Sequence, residues 1–185
     1  MVTLIHNVLT TDYVMLIHDD DCVVGLELLQ RRQAFIEKLL HGRAGLLREF
    51  DGVFGISGLC NILGAIRLAR YLKLGPRDNV VTIATDGFDR YPSVLSELAK
   101  RKPMTAEQTL HESFAAIFRG GSFADILDVR PRPEKERLFR YKQETWSKFG
   151  YSDSYLQSMK SQAFWEGEAA KVPEFDSALL QALKS

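Results

Sequence analysis

Residues 52–85 read GVFGISGLCNILGAIRLARYLKLGPRDNVVTIAT, and the parsing of this stretch decides the fold. Gly52-Val53-Phe54-Gly55-Ile56 is a short apolar run ending at Ser57-Gly58, the pattern of a strand meeting a turn. Helical spacing follows from about Leu59 to Leu72, with Ser57 set to cap it and Gly75-Pro76 to stop it. This helix is apolar or small almost all round (Cys60, Ile62, Leu63, Gly64, Ala65, Ile66, Leu68, Ala69), which predicts packing on several sides. Val80-Val81-Thr82-Ile83-Ala84 then reads as the clearest buried strand of the chain, running into Thr85-Asp86-Gly87. Strand, helix, strand is the mark of a right-handed crossover in a parallel sheet.

Upstream, Tyr13 to Ile17 reads as another buried strand, stopped by His18-Asp19-Asp20-Asp21. The aspartates suit a helix start, where carboxylates accept unpaired amide hydrogens and oppose the helix dipole. From Val23 to Leu40 apolar residues recur at helical spacing until Gly42 and Gly45 interrupt them. Downstream, composition shifts after Lys100-Arg101-Lys102-Pro103. Helical patterns follow at roughly 106–118, 133–148, 152–159 and 175–183, parted by Gly120-Gly121, Arg130-Pro131-Arg132-Pro133 and Lys171-Val172-Pro173. The expectation is an α/β fold: a partial parallel sheet with flanking helices, of the three-layer αβα type, over residues 1–100. A helical extension over 101–185 would pack on that core or on a partner.

The 185 residues suffice for a real hydrophobic core, and 45% hydrophobic with 26% charged residues is a globular composition. A formal net charge of zero argues against general affinity for nucleic acid or anionic membrane. No apolar run approaches the ~20 residues of a membrane span, and Met1-Val2-Thr3-Leu4 does not begin a signal peptide. Cys22 and Cys60, distant in sequence and set in apolar stretches, do not form a disulfide framework, so a reducing, cytoplasmic setting is expected.

In open parallel sheets, ligands gather beyond the carboxyl ends of strands. Gly55-Ile56-Ser57-Gly58 and Thr85-Asp86-Gly87-Phe88-Asp89-Arg90-Tyr91 occupy such ends in this parsing. The first sets free amide hydrogens at a helix start, where an anion or carboxylate is favoured; the plainer alternative is a helix cap. These two segments, with the small-residue helix between them, resemble the last third of cysteine synthases and cystathionine β-synthases. Those are fold-type-II pyridoxal-phosphate enzymes of the superfamily that includes tryptophan synthase β. His6-Asn7-Val8 and Asp19-Asp20 are similar to a longer branch of that superfamily with an extended helical tail, which Trp146 and Phe164-Trp165 fit.

The resemblance implies that Thr85, Asp86 and Gly87 form the wall beside the cofactor's pyridine nitrogen. A hydroxyl usually serves there, and Asp86 departs from that pattern: a carboxylate would keep the nitrogen protonated and favour carbanion chemistry. Either Thr85 or Asp86 faces inward. Gly55, Ile56, Ser57 and Gly58 would line the substrate rim. No lysine of the chain lies in the family's imine context, so pyridoxal phosphate is not expected to be held covalently by this chain. The implied function is the carboxy-terminal segment of a lyase or synthase acting on amino acids by β-elimination or β-replacement, inactive without an amino-terminal half. The alternative is a non-catalytic protein of the same descent that associates with itself or a partner.

Other patterns read more plainly. His18 to Asp21 is a strand end and helix cap rather than a metal site, since consecutive residues rarely converge on one ion. His111-Glu112-Ser113 lies on a helical pattern without a nucleophile elbow. Arg130, Arg132, Lys135 and Arg137, interleaved with Asp128, Glu134 and Glu136, read as a solvated linker. Gly120-Gly121-Ser122 follows a helix rather than a strand, which argues against a phosphate loop. Trp146, Phe164 and Trp165 read as packing anchors, and Cys60 as an inert residue of a buried helix.

Overall fold

Gly52 decides the parsing of its stretch: its φ of 71° belongs to a turn, not to a strand. The structure, a computed structural model, describes residues 3–39, 49–120 and 122–183. The expected partial parallel sheet of an αβα fold is not formed; the chain is predominantly helical. Its one sheet among the described residues pairs β1 (Tyr13–Met15) with β2 (Ile126–Asp128). The pairing is antiparallel, with Leu16 N–H on the Asp125 carbonyl at 2.9 Å and Val129 N–H on the Asp12 carbonyl at 2.9 Å.

Val80 to Ala84 has strand composition but no strand neighbour among the described residues. Val81 is 92% exposed and Ile83 71%, and Asn61 Nδ2 donates to the Ile83 carbonyl at 2.9 Å. A continuous apolar run predicts burial only if a second strand takes up its backbone groups. Neither turn 52–55 nor β1 does so here.

The chain divides into two units, one of Met15–Leu127 and one of Met1–Val14 with Asp128–Ser185. In the first, α1 (Asp19–Arg31) packs on α3 (Ile56–Tyr71). In sequence, α2 (Gln33–Leu39) follows α1, and the expected Gly42 and Gly45 breaks fall outside the described residues. The core gathers Leu26, Leu28, Leu59, Leu63, Met104 and Ile117 with Leu95 and Leu98 of α4 (Pro92–Arg101). A further helix, α5 (Glu107–Phe114), runs into a π-helical turn, Ala115–Arg119.

The buried Arg67 of α3 reaches the Asp21 carboxylate at 2.7 Å and the Leu16 carbonyl at 3.2 Å. The acidic start read at His18–Asp21 therefore does more than oppose a dipole. It neutralises a guanidinium that α3 carries into the core.

The second unit is built on α6 (Arg132–Trp146), α7 (Asp153–Ser158), α8 (Gln162–Ala170) and α9 (Val172–Ala182). Ser152 and Ser161 cap α7 and α8 by accepting the Tyr155 and Phe164 amides, each at 3.2 Å. Asn7 Oδ1 likewise accepts the Leu9 amide at 3.0 Å and caps a 3-10 turn, Val8–Thr10. Val8, Phe139, Leu156 and Met159 form the core, with Trp146, Phe164 and Trp165 packed against it.

Lys142 stands inside this core at 0% exposure. Its Nζ donates to the His6 carbonyl at 2.5 Å and lies 5.3 Å from the Trp165 ring centre, with no carboxylate partner among the described residues. Burial pulls its pKa down to about 8. The nearby His6, bonded through Nε2 to Thr11 Oγ1 at 2.6 Å, is also lowered, first by burial and then by the Lys142 charge.

A lysine whose folded pKa lies below its unfolded one penalises the folded state while both states are charged. The penalty lifts as pH rises from about 8 through the unfolded value of 10.5. Stability to urea should therefore rise across that window by roughly 1–3 kcal/mol relative to Lys142→Met. Parallel pH profiles for the two proteins would contradict the buried charge.

Candidate functional site

The two segments singled out in the sequence meet at the amino terminus of α3. The Gly55 amide donates to the Asp86 carbonyl at 2.7 Å. Gly55 is buried and is the N-cap of α3, without a side-chain cap bond. Ser57, expected as the cap, lies one residue inside the helix and is exposed. Ile56 opens the helix half-buried, and Gly58 lies buried in its first turn.

Close approach explains the glycines. A Cβ on Gly55 would lie 2.5 Å from Tyr91 Cε2 and 2.6 Å from Asp86 Oδ1. A Cβ on Gly87 would lie 2.7 Å from Asp89 Oδ1 and 3.1 Å from the Gly52 carbonyl. At Gly58 the neighbours are Phe54 at 3.3 Å and the Thr85 amide nitrogen at 3.8 Å, tight but less restrictive. Segments 52–58 and 85–91 thus touch through positions that tolerate no side chain at Gly55 or Gly87 without displacement.

Of the two candidates for the inward position, Asp86 faces the glycine corner. Thr85 is exposed and donates its hydroxyl to Asp86 Oδ1 at 3.1 Å. Tyr91 Oη donates to Asp86 Oδ2 in a short hydrogen bond. That phenol holds the Asp86 carboxyl below the ordinary carboxylate range, aided by Thr85 and by the Arg90 charge. The same bond raises the Tyr91 phenol, since ionising it would set two negative charges together. Asp86 is therefore a fixed anion at the helix end that the sequence left open for an external one.

Each carboxylate oxygen has two lone pairs, so a half-buried Asp86 bonded to Tyr91 and Thr85 retains acceptor capacity. That capacity suits the protonated edge of a nitrogen heterocycle. The corner lacks an amine: among the described residues no lysine is bonded or paired there. Lys73 lies beyond the far end of α3, roughly 24 Å of helix away. Lys100 and Lys102 lie at the far end of α4. Asp86 is thus placed to accept a hydrogen bond from such an edge, at a corner where no lysine among the described residues lies.

The remaining sequence candidates have local roles. Among the described residues no group of three His, Cys, Asp or Glu is placed to hold a metal ion. His111 packs edge-on to Phe35, ring centres 4.9 Å apart. Gly121 lies outside the described residues, while the Gly120 carbonyl accepts from Arg70 at 2.9 Å and Ser122 caps a 3-10 turn. Cys22 and Cys60, remote in sequence, are neighbours in the fold; burial first, and then Cys60, push the Cys22 thiol up to about 12. It is not a nucleophile near neutral pH.

The high charge of α6 masks Lys142 in the sequence. The available signal was its place on the apolar stripe Phe139–Lys142–Trp146, at i, i+3 and i+7. No helix among the described residues is long and apolar enough to cross a membrane. No known family model, curated protein or solved structure matches this chain.

Tyr91→Phe removes the main donor to Asp86 and should bring its carboxyl back up toward 3.8, read by carbon-detected NMR titration. In the parent, Asp86 ionisation stabilises the fold above the ordinary carboxylate value, and this contribution is lost as pH falls through the lowered folded pKa; the variant, with folded and unfolded values together, should lack that step in its acid-stability profile. An unmoved Asp86 titration would contradict the pairing.

Proposed function

We propose that this chain is the carboxy-terminal segment of a pyridoxal-phosphate-dependent lyase or synthase that acts on amino acids by β-elimination or β-replacement. It works together with an amino-terminal segment that carries the cofactor lysine and phosphate loop. The observation that supports this most is the meeting of Gly55–Gly58 with Thr85–Asp86 at one corner, the pair of segments on which the family resemblance rests. Pyridoxal phosphate, when bound, supplies an electron sink for a carbanion next to the amino group. On this reading Asp86 would accept a hydrogen bond from the protonated ring nitrogen, Tyr91 and Thr85 orient the carboxylate, and the Gly55–Gly58 start of α3 admits substrate close to backbone. The exposed apolar run at Val80–Ala84 is surface that the completing segment would cover.

A second reading is favoured by a different feature. Helix α9 exposes Val172, Phe175, Leu179 and Leu180, with Leu183 exposed just beyond it, an apolar surface suited to self-association without catalysis.

Coexpression with a cysteine-synthase-type amino-terminal segment tests the first. A copurifying complex should release ammonia and a 2-oxo acid from a β-substituted amino acid, and Asp86→Ala should abolish that release. The chain alone, treated with pyridoxal phosphate and borohydride, should give no stoichiometric lysyl adduct. A stable homodimer that ignores the amino-terminal segment would support the second reading instead.

A further inference from the structure

The unit of Met1–Val14 and Asp128–Ser185 holds a cleft of about 230 Å³ whose lining is unusually cationic. Leu9 and the buried Phe139 form its apolar side, and Arg130, Arg132, Lys135 and Lys160 its polar side, with Glu136 as the sole acidic member. The sequence alone suggested a solvated linker for the first three cations; the fold gathers them with Lys160, which lies beyond α7.

Two of the four are matched by carboxylates. Arg130 grips Asp128 through two hydrogen bonds at 2.9 and 2.6 Å, and Lys160 pairs with Glu136 at 3.1 Å. Lys135 donates to a neutral acceptor, the Leu9 carbonyl, at 2.6 Å. Arg132 makes no ion pair or side-chain hydrogen bond among the described residues. Arg132 and Lys135 also occupy the first turns of α6, where the helix dipole disfavours cations. Two cations without carboxylate partners, in a cleft and against a dipole, are stabilised together by an anion that reaches both.

The size narrows the class. Pockets for drug-sized ligands run from roughly 300 to 1,000 Å³, so this cleft suits something smaller. An arginine fork beside lysine ammonium groups suits the several oxygens of a phosphate better than one planar carboxylate. The Phe139 ring, with Lys160 Nζ 5.3 Å from its centre, adds a surface for a short apolar moiety.

We propose that this cleft binds a small phosphate monoester, its phosphate between Arg132, Lys135 and Lys160 and its organic part on Leu9 and Phe139. The site is independent of the glycine corner and of the function proposed for it.

Titration of the full chain at constant ionic strength tests this, by calorimetry and amide NMR, with inorganic phosphate, phenyl phosphate and benzoate as probes. Phosphate should bind saturably at one site, and phenyl phosphate more tightly. Benzoate should bind roughly tenfold more weakly than phenyl phosphate. Arg132→Gln, at an exposed residue with no internal partner, should weaken phosphate about tenfold while leaving the fold unchanged. Lys160→Gln should act in the same direction, so a misfolded first variant leaves a second. Non-saturating shifts that chloride reproduces, equal affinity for benzoate and phenyl phosphate, or phosphate binding unmoved in a folded variant would each overturn the proposal.

Discussion

Helix α3 is the constraint on which its unit depends. A helix apolar on most of its circumference must be covered on most of it, and each covering contact fixes another part of the chain. Leu59 and Leu63 enter the core beside α1, and Arg67, one turn further along the same stripe, is buried with them. A guanidinium there persists only if its charge is met, and Asp21 and the Leu16 carbonyl meet it. Those contacts tie the end of β1 and the first turn of α1 to α3. On another side Asn61 holds the Ile83 carbonyl, and at the amino terminus Gly55 receives Asp86 and Tyr91. The candidate site is thus one end of the element that organises the core.

Much of this was legible in the sequence, and the failures share a cause. Helical spacing located α1, α3 and most of the later helices, because periodic apolar residues report a buried face directly. The Asp19–Asp21 start was also legible. Gly55–Gly58 and Thr85–Tyr91 were expected together as the ends of parallel strands; those strands are not formed, and the contact is made instead by a turn and the amino terminus of α3. Sheet membership was not legible. Val80–Ala84 has the composition of a buried strand, but a strand exists only with a partner, and pairing is a property of the whole chain. Gly52 in the left-handed region turns its segment away before pairing can start.

The candidate groups missed in the sequence were hidden by averaging. Lys142 sits in one of the most charged helices of the chain, and only its phase on the Phe139–Trp146 stripe separates it from its solvated neighbours. The cationic cleft was broken between two sequence segments, since Lys160 joins Arg132 and Lys135 only after α7 has turned the chain back. Local charge pattern described each residue correctly but not their assembly. Thr85 and Asp86 were indistinguishable for a related reason: which of two adjacent side chains points inward depends on the turn, and here the Tyr91 phenol selects Asp86.

Both functional proposals rest on charged side chains, Asp86 held by Tyr91 and Thr85 at the glycine corner and Arg132 with Lys135 in the cationic cleft. The account of Asp86 depends most on the contact between segments 52–58 and 85–91. A carbon-edited nuclear Overhauser measurement between the Gly55 α-protons and the Tyr91 ring protons tests that contact most directly. The ring carbon lies 2.5 Å from the position a Gly55 Cβ would take, so a strong cross-peak is predicted. Its absence in the folded protein, with Gly55 and Tyr91 each showing contacts only to sequence neighbours, would contradict the account.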